Sequence, residues 1–213
     1  DPKGAYWLLV DTLQGAAAHR LSWHFHFLPG ARWSWGPEGR SLRARVEEVG
    51  LAILPGDLAG LQAHVVEGQL SPPLGWVSLE SGQKDPAPTL VLTYEGNLPV
   101  HLPILLVPYR SSVLERVTWR TQMLAAEMLL VDLTTPHFHD QLVLALGEEI
   151  ALLRLSPLAA RARGIWMRNE RSSPSVALIW EPKAIYHGGQ VVWSGETPWL
   201  SLVCQGRRWR VRQ

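Results

Sequence analysis

Apolar and polar positions alternate along this chain in short bursts, and the bursts outline its elements. The clearest runs from His19 to Leu28. Leu21, Trp23, Phe25 and Phe27 fall on one side; Arg20, Ser22, His24 and His26 fall on the other. A period of two over that length predicts a half-buried strand with a polar outer face. Ser41 to Val46 alternates in the same way, with Leu42, Ala44 and Val46 opposite Arg43 and Arg45. Tyr6-Trp7-Leu8-Leu9-Val10 is a short apolar, aromatic run. Residues 89–94, 102–107, 141–146, 150–155, 175–180 and 199–203 are further strand candidates.

Glycine and proline punctuate these runs, as in Leu28-Pro29-Gly30, Leu54-Pro55-Gly56, Asp85-Pro86-Ala87-Pro88 and Tyr186-His187-Gly188-Gly189. Sixteen prolines argue against long helices over most of the chain. The best helical candidate is 121–130, which is rich in good helix formers, with a strand as the alternative there. Many short strands separated by turns predict an all-β fold, a large antiparallel two-sheet β-sandwich.

Composition narrows the functional classes. At 213 residues and 46% hydrophobic content, the chain can build one large domain spanning 1–213, and two domains are allowed but not required. The net charge is +1, with no basic stripe to bind nucleic acid and no acidic tail. Cys204 is the single cysteine, so no internal disulfide forms. No apolar run approaches the roughly 20 residues that a membrane-spanning helix needs. The chain opens at Asp1, without methionine, directly ahead of a strand-like run, and is expected to be a processed or excised piece of a longer protein. Tryptophan is unusually frequent, at 11 copies against 3 phenylalanines. Its rings stack on sugars, but they also fill sandwich cores.

Two stretches together resemble the C-terminal β-sandwich domain of heparinase II/III-like polysaccharide lyases. The first is Tyr6-Trp7-Leu8-Leu9-Val10-Asp11, then Gly15, His19-Arg20 and the strand reaching Phe25-His26-Phe27-Leu28-Pro29. The second is Gly75-Trp76-Val77-Ser78, then Gly82, Pro86-Ala87-Pro88 and Leu98-Pro99. The likeness is clearest over the first half and continues weakly through Gly147–Arg154. No single motif is specific; the order and spacing are more so. The resemblance implies a two-part enzyme acting on acidic, uronate-containing polysaccharides, periplasmic or secreted. An N-terminal α/α toroid, absent from this chain, would carry most catalytic groups, and the β-sandwich would close one wall of the cleft. Such a domain contributes one histidine, which by position relative to the Leu-Pro turn is His26. The isolated chain is expected to be inactive.

β-Elimination on a uronate needs a base for the proton next to the carboxylate, stabilisation of the charge that spreads onto that carboxylate, and an acid for the leaving oxygen. Histidine suits these tasks because its ordinary pKa lies near working pH. His26 is the first candidate and His24 the second, since both share the polar face of one strand. The alternative is that both are ordinary solvated strand residues. His19 lies on the opposite parity and reads as structural. Arg20, Trp33, Trp35 and Ser78 are candidate substrate contacts; for Trp33 and Trp35 core or turn packing is the leading alternative, and Trp76 reads as a packing anchor. Arg43 and Arg45 can meet anionic sugars or simply be solvated.

A metal site is the competing reading. His24-x-His26 and His137-x-His139, with Asp140 beside the second pair, can supply four imidazoles to zinc, copper or iron in a cupin-like enzyme. The resemblance implies against zinc, because Leu28 stands where zinc-bearing relatives place a ligand two positions after the catalytic histidine. No cofactor is therefore expected. A Ser78–His26–Asp11 hydrolase lacks the Gly-x-Ser-x-Gly elbow. A non-catalytic carbohydrate-binding or structural module remains the other alternative.

Overall fold

The computed structural model describes residues 5–37, 39, 41–110, 116–170, 175–206 and 208–212. The fold is all-β, built from antiparallel sheets. Among the described residues no helix is long and apolar enough to cross a membrane. The chain divides into two compact units, Asp1–Leu114 and Glu115–Gln213, where the sequence reading treats 1–213 as one sandwich.

Among the described residues the first unit holds twelve strands. They are β1 (Trp7–Leu13), β2 (Ala18–His26), β3 (Arg32–Trp35), β4 (Leu42–Val46), β5 (Val49–Pro55) and β6 (Gln62–Val66). Four two-residue strands follow, β7 (Gln69–Leu70), β8 (Pro73–Leu74), β9 (Trp76–Val77) and β10 (Asp85–Pro86). The long strands β11 (Thr89–Asn97) and β12 (Val100–Arg110) complete it. One sheet has the order β1-β12-β5-β4-β3 and a second the order β2-β11-β6. Leu42, Ile53, Leu102 and Ile104 from the first meet Leu90 and Leu92 from the second, all fully buried. Trp23, Phe25, Phe27, Ala63 and Val65 pack around them. Each buried leucine or isoleucine contributes about 1.5–3 kcal/mol by leaving water. Strand alternation thus acts as expected on β2: its aromatic face enters the core, and its polar face stays outside.

The second unit has β13 (Thr118–Ala125), β14 (Met128–Thr134), β15 (Phe138–Ala145), β16 (Ala151–Leu155), β17 (Leu158–Ala162) and β18 (Gly164–Glu170). It continues with β19 (Val176–Trp180), β20 (Ala184–His187), β21 (Gln190–Ser194), β22 (Trp199–Gln205) and β23 (Arg208–Val211). Seven strands form a sheet in the order β13-β14-β15-β18-β19-β22-β23, and four form β16-β17-β20-β21. Leu153, Leu155, Leu158, Ala160 and Ile185 from the smaller sheet share a core with Val143, Ile165, Met167, Ala177, Ile179 and Leu202 from the larger. On another part of β15, Asp140 is 2% exposed and accepts two hydrogen bonds from Arg168, at 2.8 and 2.7 Å. The guanidinium carbon lies 3.8 Å from the centre of the Phe138 ring, so the cation is held by charge and by the ring face together.

The helical candidate at 121–130 is corrected: these residues form the end of β13, a turn at Ala126 and Glu127, and the start of β14. Helix propensity is a weak preference of a few tenths of a kcal/mol per residue, roughly 0–0.7 for ordinary residues. It loses here to burial of Leu129, Val131 and Leu133, which alternate along β14 and are 2%, 4% and 2% exposed. Only a strand can point all three to one face.

Candidate functional site

The outer face of the three-stranded sheet carries the chemistry expected from β2. Strand β11 lies in the middle, with β2 and β6 on either side. The register sets up rows across the sheet. His26 stands beside Thr89 and then Val66; His24 stands beside Val91 and then His64; Ser22 stands beside Thr93 and then Gln62. Arg20 lies opposite Glu95 at the far end. From Arg20 to His26 this strip runs ~20 Å, at about 3.3 Å per residue.

Three histidines therefore share one solvent-facing surface. His24, His26 and His64 are all exposed. The His24 and His26 rings lie 6.4 Å apart, inclined by 29°. His64 sits two strands from His24, roughly 9.5 Å away at the backbone given strand spacings of about 4.7–4.9 Å. Val91, 3% exposed, forms an apolar floor between them.

His26 is the most constrained of the three. Its Nδ1 lies 3.1 Å from Oγ1 of Thr89, a residue with no exposed surface. A hydroxyl can donate to the neutral ring nitrogen or accept from its protonated form. The bond therefore survives either protonation state of the imidazole. With Nδ1 held against the sheet, Nε2 is the ring nitrogen free to meet a ligand. That is the arrangement a proton-exchanging or carboxylate-binding histidine needs.

His64 is a residue that the sequence reading does not single out. A signal is present: Gln62, His64 and Val66 alternate with Ala63 and Val65 between Gly60 and Gly68. The run is only five residues long, and Val65-Val66 blurs its period.

Other candidates fall elsewhere. Trp33 and Trp35 lie on β3, the edge of the five-stranded sheet, and are 40% and 37% exposed. Their rings are 6.0 Å apart at 78°, an edge-to-face pair. Ser78 is exposed, and its hydroxyl donates to the Glu80 carbonyl at 2.9 Å within a local turn. Trp76 behaves as an anchor: Nε1 donates to the Gln69 carbonyl at 2.8 Å, and Lys84 Nζ lies 4.3 Å from the ring centre. Asp11 sits on β1, paired with Leu102 in the five-stranded sheet. The hydrogen bond of Ser78 goes to backbone and that of His26 to Thr89, so Ser78, His26 and Asp11 form no relay.

Arg43 and Arg45 project from β4 near Tyr109 of β12. The Tyr109 ring covers Gly50, where a Cβ would collide with it. Burial pushes the Tyr109 hydroxyl above its usual pKa, and the two guanidinium charges pull it partly back.

The second histidine pair does not share a strand face. Phe138 opens β15, so His137 lies in the turn before it. His139 is on the strand, with Nε2 3.0 Å from Oδ2 of Asp132. Asp140 is the buried partner of Arg168. Among the described residues no group of three or more His, Cys, Asp or Glu side chains is placed to hold a metal ion.

Comparison with models of known protein families finds no match, and comparison with curated protein sequences finds none either. The assignment of function therefore rests on the residues themselves and on the sequence resemblance described above.

Proposed function

We propose that this chain is the β-sandwich part of a polysaccharide lyase acting on uronate-containing glycans, with the outer face of β2, β11 and β6 as one wall of the substrate cleft. The observation that carries the reading is the exposed His24–His26–His64 surface, with His26 held through Nδ1 by buried Thr89. A rigid sheet suits such a role because it holds catalytic groups in place without reorganisation. His26 would exchange a proton or neutralise the developing carboxylate charge through Nε2. His24 and His64 would add donors along the same face, and Arg20 would meet a further carboxylate on the strip. The remaining acid–base groups would come from an α/α toroid, as the sequence resemblance implies.

The test uses the enzyme with toroid and sandwich together. His26→Ala should lower turnover on its uronate polymer by about 10²–10⁴, the usual cost of losing one acid–base group. Release of unsaturated uronate products measures turnover, and a denaturation midpoint taken in parallel measures folding. Normal turnover in His26→Ala, or loss of the fold, would refute the assignment. The isolated chain should form no unsaturated product from alginate, heparin or hyaluronan.

A further inference from the structure

We infer that the second unit carries a separate binding groove for an acidic oligosaccharide, centred on Arg120 and Asp132. A groove of about 390 Å³ lies along β13 and β14, lined among others by Thr118, Arg120, Gln122, Asp132 and Thr134. That volume falls within the roughly 300–1,000 Å³ range of small-ligand sites. Register accounts for most of the lining: Thr118 pairs with Thr134, Arg120 with Asp132, and Gln122 with Leu130, so alternate residues of both strands share the face. Trp119 and Thr121 of the edge strand β13, of the opposite parity, also border the groove.

The two charges in the groove are not used on each other. Arg120 and Asp132 stand directly opposite, where Cβ atoms are about 4.5–5.5 Å apart. Yet among the described residues Arg120 has no hydrogen-bond or ion-pair partner. The reason lies on β15. Oδ2 of Asp132 accepts from Gln141 Nε2 at 3.0 Å and meets His139 Nε2 at 3.0 Å, so the carboxylate is held toward β15 and away from β13. Among the described residues Oδ1 has no hydrogen-bond partner, on a side chain that is 38% exposed. The groove thus presents a guanidinium with no partner among the described residues, a carboxylate fixed by its neighbours, and the neutral donors and acceptors of Thr118, Gln122 and Thr134.

That set fits a sugar acid. A guanidinium binds a carboxylate with two parallel hydrogen bonds. A fixed carboxylate oxygen accepts from ring hydroxyls, and the threonines and glutamine take the hydroxyls of a neighbouring residue. An amino acid would engage Arg120 and Asp132 but leave the neutral groups idle. The choice of an acidic glycan as ligand rests on the lyase reading above; the groove rests on Arg120 and Asp132 alone.

The experiment titrates the isotope-labelled chain with alginate tetrasaccharide, hyaluronan tetrasaccharide, cellotetraose and glycine, following backbone amide shifts. At least one acidic tetrasaccharide should move the amides of residues 118–134. Cellotetraose and glycine should leave them in place. Arg120→Gln and Asp132→Asn should each weaken that binding roughly ten- to a hundredfold, the cost of one charge-assisted hydrogen bond. The His24→Ala/His26→Ala double variant should not alter it. Shifts confined to β2, β11 and β6 would overturn the groove and leave the lyase reading standing. Shifts confined to 118–134 would support the groove and count against the histidine face as a glycan wall. Equal binding of glycine, or undiminished binding in both groove variants, would overturn the inference.

Discussion

Replacing Thr89 with valine isolates the contact that orients His26. The side chain has no exposed surface, and its hydroxyl lies 3.1 Å from Nδ1. Valine keeps the branched shape and removes the hydroxyl, so no cavity opens. The lost hydrogen bond costs about 0.5–1.5 kcal/mol. Leaving a buried partner unsatisfied would cost more, but here the remaining partner is an exposed imidazole that water can reach. Exchanging a buried hydroxyl for a methyl also removes a polar group from the interior, which offsets part of the loss. The net destabilisation should therefore stay at or below about 1.5 kcal/mol. At about 2–4 °C per kcal/mol for a chain of this size, the midpoint should fall by no more than about 6 °C. The main effect should appear in the ring. Long-range ¹H–¹⁵N spectra of the imidazoles should show a changed tautomer balance at His26, with His24 and His64 as internal references. A midpoint drop far beyond 6 °C would mean that Thr89 supports the fold rather than the ring. An unchanged His26 spectrum would mean that the contact does not set the tautomer. Either result refutes the reasoning.

Three further outcomes follow. Gly50→Ala should destabilise the first unit by about 1–3 kcal/mol, seen by denaturant unfolding, because the new methyl meets the Tyr109 ring. Tyr109 should ionise above the usual tyrosine value near 10 in an absorbance titration, and Arg43→Gln should push it higher still by removing a stabilising positive charge. Since burial raises that pKa in the folded state, the associated stability is full below about pH 10 and declines as pH rises through the folded value. Elemental analysis after mild purification should find no stoichiometric zinc, copper or iron; about one metal per chain, lost in His137→Ala, would restore the cupin-like alternative.

The elements that announce themselves in the sequence are those whose burial has a clean period of two over a long run. Strand β2 is the best case, with Trp23, Phe25 and Phe27 turned inward and His24 and His26 outward. Strand β4 is legible for the same reason; β11 and β12 show instead as apolar runs, and consecutive residues in both are buried. The 121–130 segment misleads because its local propensity is helical although it folds back on itself as a hairpin, with Thr121 paired to Val131 and Ala125 to Met128; the burial of Leu129, Val131 and Leu133 on one face decides for the strand. His64 and the Arg120–Asp132 pair share a different obstacle. Each acquires meaning from strand pairing, which places residues tens of positions apart, or across a hairpin, in one row. The division into two compact units, likewise, leaves no composition break around 111–115 to mark it.

The alternation on β2 also limits how this surface can change over time. Point substitutions at Arg20, Ser22, His24 or His26 rewrite the outer face one group at a time while the core side is untouched. A single-residue insertion or deletion inside the strand acts differently. It exchanges the two faces beyond the lesion, sending imidazole toward Leu90 and Leu92 and indole or phenyl into water. Length variation in this lineage should therefore collect in the turns before Ala18 and after His26, and the histidine strip should diversify by substitution alone.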